Sequence, residues 1–290
     1  MGEHTITADR PSPKGTAPLT LRARKPGYAV MQQCLAVQAD GRALTTWQRF
    51  WGHDPLRPEA RSWFKGAIGE RQVAAQLEEL GPDFTVLHAV PIGKGSTDID
   101  HIVVGPTGVF SINTKNHSGH AVRAGGRTLM VNGQRTPHLH RALAEGERAT
   151  ALLSAAAGGP ILVQPILVVE AAELRFGKKP PAVVVLEPER VGSWIRGLPR
   201  AHSDEAVRFL SMLAEERGTW HVDAVVINDT LRHVQRFERL ERDIAEASDR
   251  RSLLRRGVRL ALLAVPAGAV LGHWWGIAVA ALLGLPSPLG

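Results

Sequence analysis

Apolar positions in the first half of the chain's middle region repeat with the periods of a helix and then of strands. Residues 59–80 show a helical stripe that stops at Gly81-Pro82, a pair that ends helices. Three runs rich in Val, Ile and Phe follow, and we predict strands there, over 84–92, 97–104 and 109–115. We predict a second hairpin over 120–124 and 127–132.

The second half of this region alternates between helical and strand-like patterns. We predict helices over 138–157, 188–197 and 203–217. Between them, the short apolar runs 161–170 and 182–187 are typical of strands buried on both faces, and 222–227 predicts a last strand. This order of elements indicates an α/β fold with a mixed β-sheet flanked by helices.

The two ends of the chain have different patterns. We predict that residues 1–57 form a largely irregular N-terminal extension with an apolar spot around Trp47 and Trp51. Residues 260–285 contain no Asp, Glu, Lys or Arg, and as a helix they would extend roughly 39 Å. We therefore expect a C-terminal transmembrane helix there, with a buried core helix or a re-entrant hairpin as the alternatives.

Composition and charge limit the classes of partner and site that this chain can have. The single cysteine, Cys34, excludes an intrachain disulfide and any Cys-x-x-Cys zinc site. The formal net charge is +7, yet residues 31–247 hold 25 groups of each sign, so the excess lies outside the central region. The five arginines between Arg250 and Arg259 belong to a predicted basic juxtamembrane helix, 236–259. They predict contact with anionic lipid and a single-pass cell-membrane protein whose N-terminal domain is cytoplasmic.

The candidate catalytic residues lie on both sides of four turn-forming residues, Gly105-Pro106-Thr107-Gly108. If these four residues form a hairpin loop, Asp100 faces Asn113 and Asp98 faces Lys115. Side chains alternate along strands, so two carboxylates, an amide and an ammonium would project from one face. The alternative is a cluster of surface ion pairs that has no catalytic role.

A third acid is predicted to join this group. Glu70 lies on the apolar stripe of the helix at 59–80, at helical spacing from Ala67, Val73 and Leu77. A buried carboxylate is costly unless it is paired or bound to a metal. A hard cation such as Mg²⁺, with Mn²⁺ as the alternative, prefers such oxygen ligands, and Lys115 could then stabilise developing charge.

The segments GAIGERQVAAQLEEL and TDIDHIVVGPTGVFSINTKNHSG resemble the nuclease-related domain (NERD) family, a branch of the PD-(D/E)XK nuclease superfamily. The resemblance is strongest over 66–133 and implies a nuclease-like core over 58–235. It implies that Glu70 and Asp100 bind metal and that Lys115 is the lysine of the (D/E)-x-K element. Asn113 stands where the family has an acid, and it would complete the metal site with a neutral oxygen. The implied catalytic set is therefore Glu70, Asp100, Asn113 and Lys115.

No acidic residue occurs between Asp100 and Glu145, although this stretch contains many basic residues. We interpret four of them as a groove for a nucleic-acid backbone, with a solvated basic face as the alternative: Arg123, Arg127, Arg135 and Arg141.

Together these patterns predict a membrane-anchored protein that hydrolyses phosphodiesters of DNA or RNA on the cytoplasmic side with Mg²⁺. Because Asn113 supplies no negative charge, the alternative is a catalytically inactive nucleic-acid-binding or scaffolding module. A third hypothesis is a lipid-surface protein that does not meet nucleic acid.

Overall fold

The computed structural model describes residues 21–41, 43–92, 98–220 and 230–282, with only the backbone described for most of 260–282. The chain forms two compact units. One contains the described residues up to Leu35 together with Arg61–Val234, and the other contains Ala36–Ala60 and the chain from Gln235 onward.

The helices and strands have the following bounds. The helices are α1 Tyr28–Ala39, α2 Thr46–Phe50, α3 Arg61–Glu78, α4 His138–Ala157, α5 Pro188–Gly197, α6 Asp204–Glu215, α7 Arg217–Trp220 and α8 Thr230–Leu282. The strands are β1 Thr85–Pro91, β2 Asp98–Gly105, β3 Gly108–Gly125, β4 Thr128–Val131, β5 Gln134–Thr136, β6 Val163–Phe176 and β7 Val184–Leu186. Short 3₁₀ turns occur at Leu21–Ala23 and Pro58–Ala60.

All of these strands belong to one mixed sheet. Strands β1 to β5 are antiparallel neighbours in chain order, whereas β6 pairs in parallel with β3, and β7 pairs in parallel with β6. The parallel pairing of β3 with β6 needs a long crossover, and the segment that contains β4, β5 and α4 provides it. The predicted α/β class with a mixed sheet flanked by helices is confirmed.

The β2–β3 hairpin has the predicted register. Val104 pairs with Val109, and His101 pairs with Ile112. Gly105 and Gly108 also pair, which tightens the connection to Pro106-Thr107 and leaves the register unchanged. Gly108 has a φ of +143°, a backbone conformation that favours glycine at this turn.

Helices cover both faces of the sheet. On one face, Val73 of α3 and Ile195 of α5 pack in a buried cluster with Ile112 and Phe110 of β3. On the other face, α4 and α6 pack against Ile102 and other residues of β1 and β2. Two opposed helical layers thus fix the first part of β3, directly before the candidate site residues.

The structure differs from the sequence predictions at several places. Residues 28–39 form α1, although we predicted an irregular segment there. This segment lacks a clear apolar stripe, and its helix is instead held by buried Tyr28 and Met31. The predicted strands at 109–115 and 120–124 are one strand, β3, with an irregularity near Gly119, whose φ is +83°. The predicted strand at 222–227 lies outside the described residues.

Helix α8 continues through the predicted juxtamembrane segment and most of the predicted transmembrane segment. Among the residues that the structure describes, no helix is both long enough and apolar enough to span a bilayer. The predicted transmembrane helix is therefore not supported, and most side chains of 260–285 lie outside the described residues.

Candidate active site

The candidate site lies where β2 and β3 separate. Their pairing ends at His101 and Ile112, and the predicted site residues come directly beyond this point on each strand. Asp100 turns its Oδ2 towards β3, where it accepts a hydrogen bond of 2.6 Å from the backbone N–H of Thr114. This bond anchors the Asp100 carboxylate beside the strand that bears Asn113 and Lys115.

Glu70 is buried, as its place on the apolar stripe of α3 predicts, with 7% of its surface exposed. Burial raises the pKa of Glu70 well above its usual range, and the neighbouring Asp100 raises it further, whereas Lys115 opposes the shift. The backbone N–H of Gly27 lies on the side of this carboxylate and lowers its pKa. Gly27 has a φ of +70°, and a Cβ there would lie 3.2 Å from the carbonyl oxygen of Ala67, so glycine permits the close approach.

Asn113 joins the site to an acid that our sequence analysis did not select. Its Nδ2 donates a hydrogen bond of 2.6 Å to Oε2 of Glu145 on α4. Asn113 is buried, and its Oδ1 has no hydrogen-bond partner among the described residues. Glu145 lies at helical spacing from buried Ala142 and Ala149, so the stripe argument that selected Glu70 could have found it.

Lys115 is the cation of the cluster. Its Nζ donates a hydrogen bond of 2.9 Å to the carbonyl oxygen of Thr114. Its positive charge lowers the pKa values of Glu70, Asp100 and Glu145, although burial outweighs this effect and raises all three. One ammonium group therefore lies within electrostatic range of three carboxyl groups.

Asp98, the other acid predicted on this face, has a different neighbour. Its Oδ2 lies 3.9 Å from Nη1 of Arg24. Burial raises the pKa of Asp98, and Arg24 opposes that shift. Asp98 is thus paired with a cation from the segment before α1.

Two histidines border Lys115. The Nε2 atoms of His117 and His138 lie 3.2 Å apart. Burial and the charge of Lys115 help lower the pKa of His138 to about 4, so this imidazole is neutral at physiological pH. The border of the site is therefore polar without adding positive charge.

The oxygen atoms of these side chains meet only part of what a hard divalent cation needs. Among the described residues, no three Asp, Glu, His or Cys side chains lie close enough together to hold a metal ion. Mg²⁺, however, is commonly bound through one or two carboxylates, with waters and substrate phosphates as its other ligands. The unpartnered Oδ1 of Asn113 is a buried oxygen of the kind that such an ion uses. The residues present therefore fit a partly hydrated ion, and they do not form a closed cage.

The predicted basic residues are arranged in two groups. Arg123 of β3 faces Met130, and Met130 faces Arg135 of β5, while Arg123 also lies beside Arg175 of β6. These three arginines form a row across four strands, and each is exposed. Arg141 is separate from the row: it is exposed on α4 and lowers the pKa of Glu145.

Arg127, the remaining predicted basic residue, is exposed in the turn between β3 and β4. The structure thus places two of the four predicted arginines in one row and a third next to the acidic cluster.

Comparisons with known proteins found one family model and one related protein. Residues 65–169 match the family model described as a nuclease-related domain (NERD), and this range includes every acidic and basic residue of the cluster. An uncharacterized protein of Bacillus anthracis is 43% identical over 60 residues, which is 19% of this chain and 28% of that protein. The chain thus spans less than a third of that relative's length. No solved structure matches the chain.

Proposed function

We propose that the nuclease-related domain matched by residues 65–169 is a Mg²⁺-dependent phosphodiesterase acting on DNA or RNA. The observation that carries this proposal is the contact of Asp100 with the backbone of Thr114, which holds a carboxylate beside Lys115 at the point where β2 and β3 separate. Acids and an ammonium group at one buried edge are suited to metal-assisted phosphoryl chemistry.

The residues of the cluster have separate roles in this mechanism. Asp100 and Glu70 would hold Mg²⁺ or Mn²⁺, with Oδ1 of Asn113 as a neutral ligand. When bound, the metal supplies positive charge that polarises the phosphodiester. Lys115, positioned by its hydrogen bond to Thr114, stabilises the negative charge that develops on the phosphoryl oxygens.

The deciding experiment is incubation of the full chain with supercoiled plasmid and with single-stranded RNA. We expect nicking or cleavage with Mg²⁺ or Mn²⁺ and none when EDTA is in excess. Absence of cleavage with either metal, together with retained salt-sensitive binding, would instead favour the second candidate function, a catalytically silent nucleic-acid-binding module. Asn113 favours this alternative because it brings no charge to the metal site.

The arginine row is the proposed contact for the nucleic-acid backbone. Arg123 lies between two buried residues of β3, Val122 and Ala124, so its side chain projects from the opposite, exposed face of the sheet. Among the described residues, Arg123 and Arg135 form no ion pair, whereas Nε of Arg175 lies 2.6 Å from Oε1 of Glu173. Arg123 and Arg135 are therefore the row members best placed to bind phosphates.

We expect the double variant Arg123→Ala, Arg135→Ala to bind duplex DNA more weakly and with a weaker salt dependence. Loss of two phosphate contacts should lower the slope of log affinity against log salt by about 2. Fluorescence anisotropy over a KCl series measures this slope. Arg208→Ala, an exposed arginine on α6, is the matched control and should leave the slope unchanged. An equal slope for the double variant and the wild type would exclude the row as the contact.

We also propose that the second unit contacts anionic lipid at the cytoplasmic face of the cell membrane. Arg251, Arg255 and Arg259 of α8 line a groove that Trp51 borders, which combines positive charge with an aromatic ring suited to the interface. The anchor predicted at 260–285 stays a prediction. Flotation of the full chain with anionic vesicles and with neutral vesicles distinguishes binding through the charge of the lipid headgroups from insertion into the bilayer.

A further inference from the structure

We infer that three aromatic side chains of the second unit form a wedge that enters the headgroup region of an anionic bilayer. The aromatic wedge consists of Trp47, Phe50 and Trp51. This inference rests on the proposed contact of α8 with anionic lipid, and it adds to that contact the side chains that leave water. It follows from the exposure of the three rings, from the way in which α2 is held, and from the charge beside it.

The three rings pack on one another at the surface of the unit. They belong to α2 and its C-cap at spacings of three and four residues, so they share one side of the helical turn. Trp47 stacks on Phe50 with ring centroids 5.7 Å apart, and Trp51 meets both rings edge to face. Nevertheless, each of the three residues is between 44% and 68% exposed. A contiguous exposed patch of large apolar side chains marks an interaction site.

Local contacts hold the wedge in place although α2 has only five residues. The backbone N–H of Gln48 donates a hydrogen bond of 3.2 Å to Oγ1 of Thr45, and the backbone N–H of Thr45 donates one of 2.9 Å to Oε1 of Gln48. This reciprocal capping box closes the first turn. After α2, a Cβ at Gly52 would lie 2.7 Å from the carbonyl oxygen of Ala247, so glycine lets the chain lie directly against α8. Side chains that are already ordered lose little conformational entropy on binding.

Helix α8 supplies the positive charge that an anionic surface attracts. Arg251, Arg255 and Arg259 follow one another at intervals of four residues, and all three line the groove that Trp51 borders. No acidic residue occurs between positions 250 and 259. Basic side chains are drawn to anionic headgroups, and tryptophan is enriched at the boundary between water and the acyl chains. Aromatic rings next to a run of arginines therefore fit the surface of an anionic bilayer.

The test places an environment-sensitive fluorophore at the wedge of the full chain. Trp47→Cys can be labelled selectively with an NBD maleimide, because Cys34 is buried and its burial raises the pKa of that thiol to about 11. On phosphatidylcholine vesicles that contain phosphatidylserine, we expect the NBD emission to shift to the blue. Lipids that carry a spin label near the headgroup should quench it. Phe209→Cys, at an exposed aromatic position on α6 of the other unit, is the matched control and should keep its aqueous emission.

An unlabelled variant measures how much the rings contribute to binding. Trp47→Ala, Phe50→Ala should weaken the affinity for the same vesicles at least about tenfold, because two aromatic rings no longer leave water. Phe209→Ala should bind as the wild type does. All of these side chains are exposed, so the fold should not depend on them, and circular dichroism of each variant checks this. An affinity of the double variant equal to that of the wild type would overturn the wedge.

The outcomes separate the wedge from the proposed lipid contact. If the chain floats with anionic vesicles while the label at position 47 keeps its aqueous emission, the wedge is overturned and the lipid contact of α8 stands. If the chain floats with neither anionic nor neutral vesicles, both proposals fail. A blue shift that depends on protein concentration and needs no vesicles would indicate that the rings face a second copy of the chain, and it would overturn the wedge. An equal shift of the control label would overturn it as well.

Discussion

Replacing Asp100 by asparagine is expected to reduce metal-dependent plasmid cleavage by at least about a hundredfold. The asparagine oxygen can still accept the hydrogen bond that Thr114 donates, so the backbone of β3 should keep its position. What disappears is the negative charge that would hold the metal and face Lys115. Initial rates of conversion from supercoiled to nicked plasmid, at saturating Mg²⁺ or Mn²⁺, measure the effect.

Asp83→Asn is the matched control, because Asp83 is an exposed aspartate in the loop after α3. Its cleavage rate should equal that of the wild type. Cleavage by Asp100→Asn at the wild-type rate would contradict the assignment of the active site to this cluster, because the reaction would then have to occur elsewhere on the chain.

A second large effect is expected on stability. Phe110→Ala should lower the free energy of unfolding by about 3–5 kcal/mol, since it removes a buried aromatic ring and leaves a cavity. Phe110 is 1% exposed and contacts Trp194 of α5 edge to face, with ring centroids 6.2 Å apart. It belongs to the core that fixes the first part of β3. The midpoint of urea unfolding, followed by fluorescence, reports the change.

Phe176→Ala provides the comparison for this variant. Phe176 lies in the same sheet at the end of β6 and is 55% exposed, so its loss should change the free energy of unfolding by about 0.5 kcal/mol or less. Equal destabilisation by the two variants would contradict the burial that we describe for Phe110.

The sequence was most informative where local chemistry determines the structure. Helices α4 and α5 have the predicted bounds, 138–157 and 188–197, because apolar periodicity and a proline at the start of α5 mark them. The hairpin register was also predicted, since Gly and Pro in the turn leave few alternatives. Strand β5 was not predicted, because a strand of three residues has too short a pattern.

The site was predicted where its residues follow from the pattern of a single hairpin or a single helix. Asp100 and Asn113 follow from the hairpin register, and Glu70 follows from the stripe of α3. Glu145 also lies on an apolar stripe, but its contact with Asn113 depends on how closely α4 packs on β6. That distance is a tertiary property, since a Cβ at Gly146 would lie only 2.8 Å from Cβ of Pro165, and no sequence pattern predicts this approach.

The position of Gly27 beside Glu70 affects how this protein can be divided for recombinant expression. A fragment trimmed to the matched range, 65–169, would lose Gly27, which lowers the pKa of Glu70, and would cut β6 before its end at Phe176. The unit that holds the acidic cluster is also discontinuous in sequence, since Ala36–Ala60 belong to the other unit. A contiguous gene fragment that keeps both Gly27 and Glu70 must therefore carry that intervening segment. A fragment that starts at residue 65 is expected to lose part of the site that it was designed to isolate.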